Sequence, residues 1–197
     1  MKIFNSVNSY FVIESLEKGG IGVLPTDTIY GLACSAFDRD AVEKIYDLKK
    51  RNKNKPPVIL IGSVDDLKKM DIEVSEEIVR KIMKEFWPGK VSIILPLFCP
   101  SDNRELGEVS KFDYLHRGLK TLAIRFPDKP ELIELLKKTG PLVTSSVNLE
   151  GKMPAKNIKE AMSYFGEKVD FYVDEGEIGS TPSAIIALKD GEIIKIR

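Results

Sequence analysis

Between Lys49 and Lys55 the chain reads KKRNKNK, five basic side chains in seven positions, inside a protein whose thirty basic and thirty acidic residues cancel. A local cation cluster in a neutral chain suits a small, highly charged anion held at one place, whereas a nucleic-acid surface tilts the whole composition. The phosphates of a nucleotide fit that description. Hydroxyls and cations recur at what read as strand ends: Thr26 and Thr28, Lys49 and Arg51, Thr121 and Arg125, Thr144 with Ser146 and Asn148, and Ser183. In open α/β sheets ligands collect in the crevice beyond the carboxyl ends of strands, so these groups can converge on one pocket. Such a pocket positions reactants and stabilises charge, which is most of what reaction at a phosphorus centre demands of a protein.

Other chemistries lack their parts. Neither G-x-x-x-x-G-K-[ST] nor G-x-G-x-x-G occurs, so the usual NTPase and dinucleotide loops are absent. His116, the only histidine, has no serine or cysteine motif beside it and reads as an ordinary loop residue. Cys34 and Cys99 lie far apart without a CxxC partner, which points to buried free thiols and not to zinc or a disulfide. No carboxylate pair has metal-ligand spacing, and no protein-held metal is expected.

The elements that must position these groups alternate along the chain. Ile21 to Leu24 reads as a buried strand, and Asp38 caps a helix over Arg39 to Lys50. Val58 to Ile61 is a strand, helical patterns follow Ser63 and Ser75, and Val91 to Leu97 is apolar enough for a central strand. Phe98 to Lys120 has no clean period and reads as a long loop or lid. Strands at Thr121 to Arg125, Pro141 to Ser145 and Phe171 to Val173 bracket helices at Glu131 to Lys138 and Ile158 to Phe165. The chain closes with a hairpin of Ala184 to Leu188 and Ile193 to Ile196 around Asp190 and Gly191. The expected fold is α/β: one domain over residues 1–197, a twisted mixed sheet with flanking helices and a concave basic cleft. The N-terminus lacks a signal-peptide core and no run approaches ~20 apolar residues, so a soluble cytoplasmic protein away from membranes is expected.

Singly, each piece has a plainer reading: Thr26 and Asp27 as a turn, and the basic run as a solvated helix end. In order and spacing, PTDTIYGL, LKKR, WPGK, TLAIRFPD, TSSVN and PSAII together resemble the threonylcarbamoyl-AMP synthase family of YrdC-like domains, in its short single-domain form. That family's KxR and SxN motifs fall at Lys49 with Arg51 and at Ser146 with Asn148. The resemblance implies a nucleotidyltransferase that joins L-threonine, bicarbonate or CO2, and ATP into threonylcarbamoyl-adenylate with release of pyrophosphate. A second enzyme then makes N6-threonylcarbamoyladenosine at tRNA position 37, so tRNA-modification partner proteins and a tRNA contact are implied as well.

By the same resemblance, Lys49 and Arg51 are catalytic, offsetting repulsion between a threonine carbamate and the α-phosphate. Thr28, Arg125 and Thr144 face threonine. Arg51, Lys55, Thr121, Ser146, Asn148, Ser183 and Arg197 face ATP, with Mg²⁺ accompanying its phosphates. Four positions depart from the pattern: Lys55 where many relatives have Asn, Leu60 where some have His, Lys90 after WPG, and Glu150 where Ser is common. The rival expectations are a tRNA or double-stranded-RNA-binding module, an inactive paralogue of the same fold, and a carbamoyl-transfer domain of a hydrogenase-maturation protein.

Overall fold

The computed structural model describes residues 2–97, 111–179, 181–189 and 192–196, and there the chain builds one mixed sheet. Its strands are β1 (Ile3–Phe4), β2 (Gly22–Pro25), β3 (Tyr30–Ser35), β4 (Val58–Leu60), β5 (Val91–Pro96), β6 (Thr121–Arg125), β7 (Leu142–Ser146), β8 (Phe171–Val173), β9 (Ala184–Lys189) and β10 (Glu192–Lys195). Helices α1 (Tyr10–Glu17), α2 (Arg39–Lys49), α3 (Asp66–Lys69), α4 (Glu76–Glu85), α5 (Asp113–His116), α6 (Pro130–Thr139) and α7 (Ile158–Phe165) connect them. The strand order is β1-β8-β2-β3-β7-β4-β6-β5-β9-β10. Parallel β4–β6 and β5–β9 pairs stand beside antiparallel β2–β3, β3–β7, β4–β7 and β5–β6 pairs.

Helix boundaries follow local chemistry. The Asp38 carboxylate accepts the Ala41 N–H at 2.9 Å to start α2, and Lys50 ends it in the left-handed region at φ 50°. Ser75 and Asn157 cap α4 and α7 in the same way, and Pro130 occupies the first turn of α6.

Period-2 alternation divides the sheet into two unlike faces. On one, Val23, Leu32, Ile59, Ile93, Ile124, Val143 and Tyr172 join residues of α2, α4, α5 and α7 in the larger core. On the other, α1 and α6 press Val12, Leu16, Leu132, Leu135 and Leu136 onto Leu24, Ala33, Leu60, Leu142, Phe171 and Val173. Truncating one of those leucines to Ala costs about 2–5 kcal/mol. Gly22 is required there: a Cβ would come within 2.1 Å of the Phe171 ring. Past α6 this second face carries smaller and polar side chains, among them Gly31, Thr121, Ala123 and Thr144. A sheet sealed on one side and half sealed on the other has room for a ligand on the open half.

Most expected elements form within a residue or two of their expected bounds. The exceptions are β1, α1 and β3, which were not anticipated, and the stretch from residue 98 to 120. Its described part, 111–120, is not irregular: α5 forms there, and Phe112, Tyr114 and Leu115 enter the larger core. His116 is buried at 7% exposure and its Nδ1 accepts the Gly118 N–H at 3.0 Å, a structural role. Residues 98–110, with Cys99, and the expected Asp190–Gly191 turn lie outside the described residues. The pairing of Glu192 with Lys189 is that of a hairpin. Cys34 is a buried free thiol whose pKa burial pushes well up. Among the described residues, no helix is long and apolar enough to cross a membrane.

Candidate active site

The hairpin of β2 and β3 turns over residues 26–29, and Thr26 organises that turn. Its Oγ1 donates to the Ile29 carbonyl at 2.7 Å and accepts the N–H groups of Thr28 and Ile29 at 3.1 and 3.2 Å. The turn lifts Thr28 over the open face, where its hydroxyl accepts Nη1 of Arg125 at 3.1 Å. Arg125 ends β6 at 3% exposure, and the same Nη1 stands 3.0 Å from Oδ1 of Asp27. Burial pulls the Arg125 pKa down while Asp27 opposes the shift, so the pair keeps a guanidinium charged inside the protein. Nε of Arg125 is buried without a hydrogen-bond partner, one donor left over on a cation at the sheet surface.

A second group of residues comes from two loops. Lys49, the last residue of α2, is 2% exposed and turns inward, donating to the Ser146 carbonyl, the Asn148 carbonyl at 2.7 Å and Asn148 Oδ1 at 3.1 Å. Burial first, and the charge of Arg51 second, lower its pKa to about 7. Asn148 Oδ1 also accepts the Ser146 hydroxyl at 2.6 Å, and its amide donates to the Leu149 and Lys152 carbonyls. Lys49 and Asn148 thus hold the turn from which Ser146 projects.

Arg51 is half-buried, its Nη2 bonded to the Pro56 carbonyl at 3.1 Å. Lys53 pairs with Glu43 and Asp47, and Lys55 pairs with Glu150.

The two groups meet at a cavity of about 330 Å³ on the open half of the sheet. Thr28, Arg51, Thr121, Arg125, Thr144, Ser146 and Ser183 line it, as the sequence led one to expect. Lys49, Lys55 and Asn148 do not, and Arg197 lies outside the described residues. Of the basic run only Arg51 faces the cavity, because its other lysines find partners elsewhere or leave toward solvent; among the described residues the cations of the expected concave basic cleft that line the cavity are the guanidiniums of Arg51 and Arg125. Ser183 shares a buried hydroxyl contact of 3.0 Å with Ser92 on β5.

Apolar Val58, Ile94, Ala123 and Ile185 form the floor, and Gly31 leaves open space where a Cβ would make ordinary contacts with Thr26 and Thr144. Leu60 belongs to the apolar cluster under α6 and does not line the cavity.

Sequence reading missed Asp27, although it sits inside PTDT, because only the fold brings β6 to it. It also missed the apolar floor, whose period-2 spacing was the available signal. Among the described residues no carboxylate lines the cavity, and no group of three His, Cys, Asp or Glu side chains could hold a metal ion. The cavity can therefore bind anions through guanidinium and hydroxyl donors, beside an apolar floor that sheds water.

Comparison with known proteins follows that geometry. The Sua5_yciO_yrdC family model, described as telomere recombination, matches residues 14–197. A putative threonylcarbamoyl-AMP synthase of Methanocaldococcus jannaschii is 33% identical over 94% of this chain and 84% of its own length. A threonylcarbamoyl-AMP synthase of Moraxella catarrhalis is 32% identical over 98% of both. Among solved structures, P. abyssi Sua5 complexed with L-threonine superposes with a TM-score of 0.83 at 25% identity, covering 100% of this chain. This chain spans 57% of that longer one.

Proposed function

This chain belongs to the Sua5/YciO/YrdC family, and from that premise we propose that it is a cytoplasmic threonylcarbamoyl-AMP synthase, a nucleotidyltransferase using L-threonine, bicarbonate or CO2, and ATP. The observation that carries this reading is one cavity, without a carboxylate among its described lining residues, with Arg125 and Thr28 on the turn side and Arg51, Thr121, Ser146 and Ser183 facing it. Two anions have to meet here, and a negative side chain in the lining would oppose both.

The threonine carboxylate docks on Arg125, whose unpartnered Nε supplies a donor that Asp27 and Thr28 leave free. Thr28 and Thr144 offer hydroxyls to the substrate's polar groups. The substrate ammonium gives one proton to solvent, the free amine adds to the CO2 carbon as a C=O electron pair moves onto oxygen, and a second proton leaves nitrogen for solvent to give the carbamate. A carbamate oxygen then attacks the α-phosphate of ATP, a P–O bond forms, and pyrophosphate leaves with the electrons of the broken P–O bond. Arg51 screens the two anions from each other and stabilises charge growing at phosphorus, while Thr121, Ser146 and Ser183 orient the nucleotide. Lys49 and Asn148 act through the turn that carries Ser146. Mg²⁺ enters with the phosphates of ATP as part of the substrate, since no carboxylate of the lining would hold it. The mixed anhydride passes to a second enzyme that modifies tRNA at position 37.

The rival RNA-binding reading rested on a concave basic face; Lys49 is buried in bonds to the 146–148 turn, and Lys53 and Lys55, though exposed, pair with Glu43, Asp47 and Glu150. Pyrophosphate release from ATP and bicarbonate, measured with L-threonine, serine, valine or no amino acid, tests the proposal. Release that needs threonine and bicarbonate is expected, and none from folded protein would reject it.

A further inference from the structure

Lys55 and Glu150 sit on the two different loops that meet beside the cavity. Lys55 Nζ pairs with Oε1 of Glu150, and Oε2 of the same carboxylate accepts the Asn52 N–H at 2.6 Å. The Glu150 N–H in turn donates to the Lys49 carbonyl at 3.0 Å. Glu150, two residues past the Ser146–Asn148 turn, thus grips the 49–55 segment at three points.

The end of that segment and Pro56 after it supply the acceptors of Arg51. Nη2 of Arg51 donates to the Pro56 carbonyl at 3.1 Å, and Nε stands 3.4 Å from the Lys55 carbonyl, which also accepts the Tyr46 hydroxyl at 2.7 Å. A guanidinium on a free loop samples many rotamers, and ordering it costs conformational entropy each time a ligand binds. Fixing the carbonyls that hold it removes part of that cost before the ligand arrives. Glu150 is exposed, and its pKa is held below the ordinary carboxylate value first by the Lys55 hydrogen bond and then by the Asn52 N–H. The carboxylate therefore stays ionised at neutral pH, and Lys55 offsets its charge beside a site that has to receive phosphates.

We propose that Glu150 and Lys55 are positioning residues: an interloop clasp that sets Arg51 for the nucleotide and spends the charge of Lys55 on Glu150 instead of on the phosphates. The clasp rests on the synthase reading for its catalytic consequence, though not for its geometry. Hydrogen exchange of residues 50–56 and the kinetics of pyrophosphate release test it together, on native protein, Glu150→Ala, Glu150→Gln and Lys55→Met.

In Glu150→Ala, exchange at the Asn52 amide is expected to quicken at least tenfold and the KM for ATP to rise about tenfold, with the KM for threonine and the thermal midpoint nearly unchanged. Glu150→Gln keeps an acceptor for Asn52 and should restore most of the exchange protection. Lys55→Met leaves the carboxylate uncompensated, so it should raise the KM for ATP by a few fold without quickening exchange at Asn52.

Unchanged exchange in Glu150→Ala would overturn the clasp. So would a fall in kcat at constant KM, or a loss in Lys55→Met larger than in Glu150→Ala, which would put Lys55 on the phosphates. Native protein that releases no pyrophosphate while the exchange pattern holds would reject the synthase reading and leave the clasp standing.

Discussion

Two buried cations stand at the two sides of this site, and they are neutralised by different means. Arg125, at 3% exposure on a sheet strand, has a carboxylate for a partner, Asp27. Lys49, at 2% exposure where a helix ends, is held by two backbone carbonyls and an amide oxygen. A carboxylate compensates charge outright, whereas dipoles offset it in part, and an ammonium can shed its proton where a guanidinium does not. The Arg125 side is therefore permanently charged and rigid, and the Lys49 side is charged conditionally. Permanent charge suits a reactant carboxylate that must be fixed. Conditional charge sits beneath the two loops that carry Arg51 and Ser146.

The largest expected effect breaks the first half of that contrast. Asp27→Asn leaves Arg125 buried without a countercharge, and by the usual cost of breaking a buried pair it should destabilise the fold by about 3–5 kcal/mol in denaturant titration. If the loss is under about 1 kcal/mol, Arg125 is not dependent on Asp27 and the two cations are alike.

Next in size, Arg51→Ala should lower threonine-dependent pyrophosphate release by roughly a hundredfold, the scale for removing a donor aimed at a transition state. Its unfolding midpoint should stay close to native because the side chain is half-buried and bonded only to carbonyls of its own loop.

An intermediate effect is one of pH. The folded pKa of Lys49, about 7, lies below the ordinary lysine value of 10.5, so between those values the unfolded chain binds more protons than the folded one. Stability should therefore rise as pH climbs through that window, and Lys49→Met should flatten the rise. Arg125 should produce no such slope, and unfolding midpoints of the native and Lys49→Met proteins across pH 6–10 (a range set roughly by those pKa values) would read it. The smallest expected change is Gly31→Ala, which adds a methyl to the cavity floor with ordinary contacts. About a tenfold weaker threonine affinity by calorimetry, near 1.4 kcal/mol, is expected at unchanged stability.

How much of this was legible beforehand varies with the length scale of the cause. Caps and helical periods are local, so α2 with Asp38 and α4 with Ser75 could be read directly. Strand β3 is buried on both faces from Tyr30 to Cys34, with no alternation to mark it, and its residues read as the tail of a motif. The buried α5 turn hid in a polar-looking stretch because three core aromatic and aliphatic side chains, Phe112, Tyr114 and Leu115, are spaced by turn geometry and not by a helix period.

Types of site residue were legible and directions were not. Lys49, Arg51 and Lys55 are near neighbours, yet one points into a turn, one into the cavity and one at Glu150. That sorting depends on which carbonyls and carboxylates the loop after β7 brings near, a contact about a hundred residues away in sequence that no local pattern encodes.

The half-covered sheet has an evolutionary reading. Folding is secured by the sealed face and by the helices over the far half of the other, so positions of the uncovered half that stay partly exposed, such as Thr121 and Ala123, carry little of the packing. Substitutions there change what is bound without threatening whether the chain folds, and a lineage can explore new ligands by drift on that surface while the scaffold stays as it was.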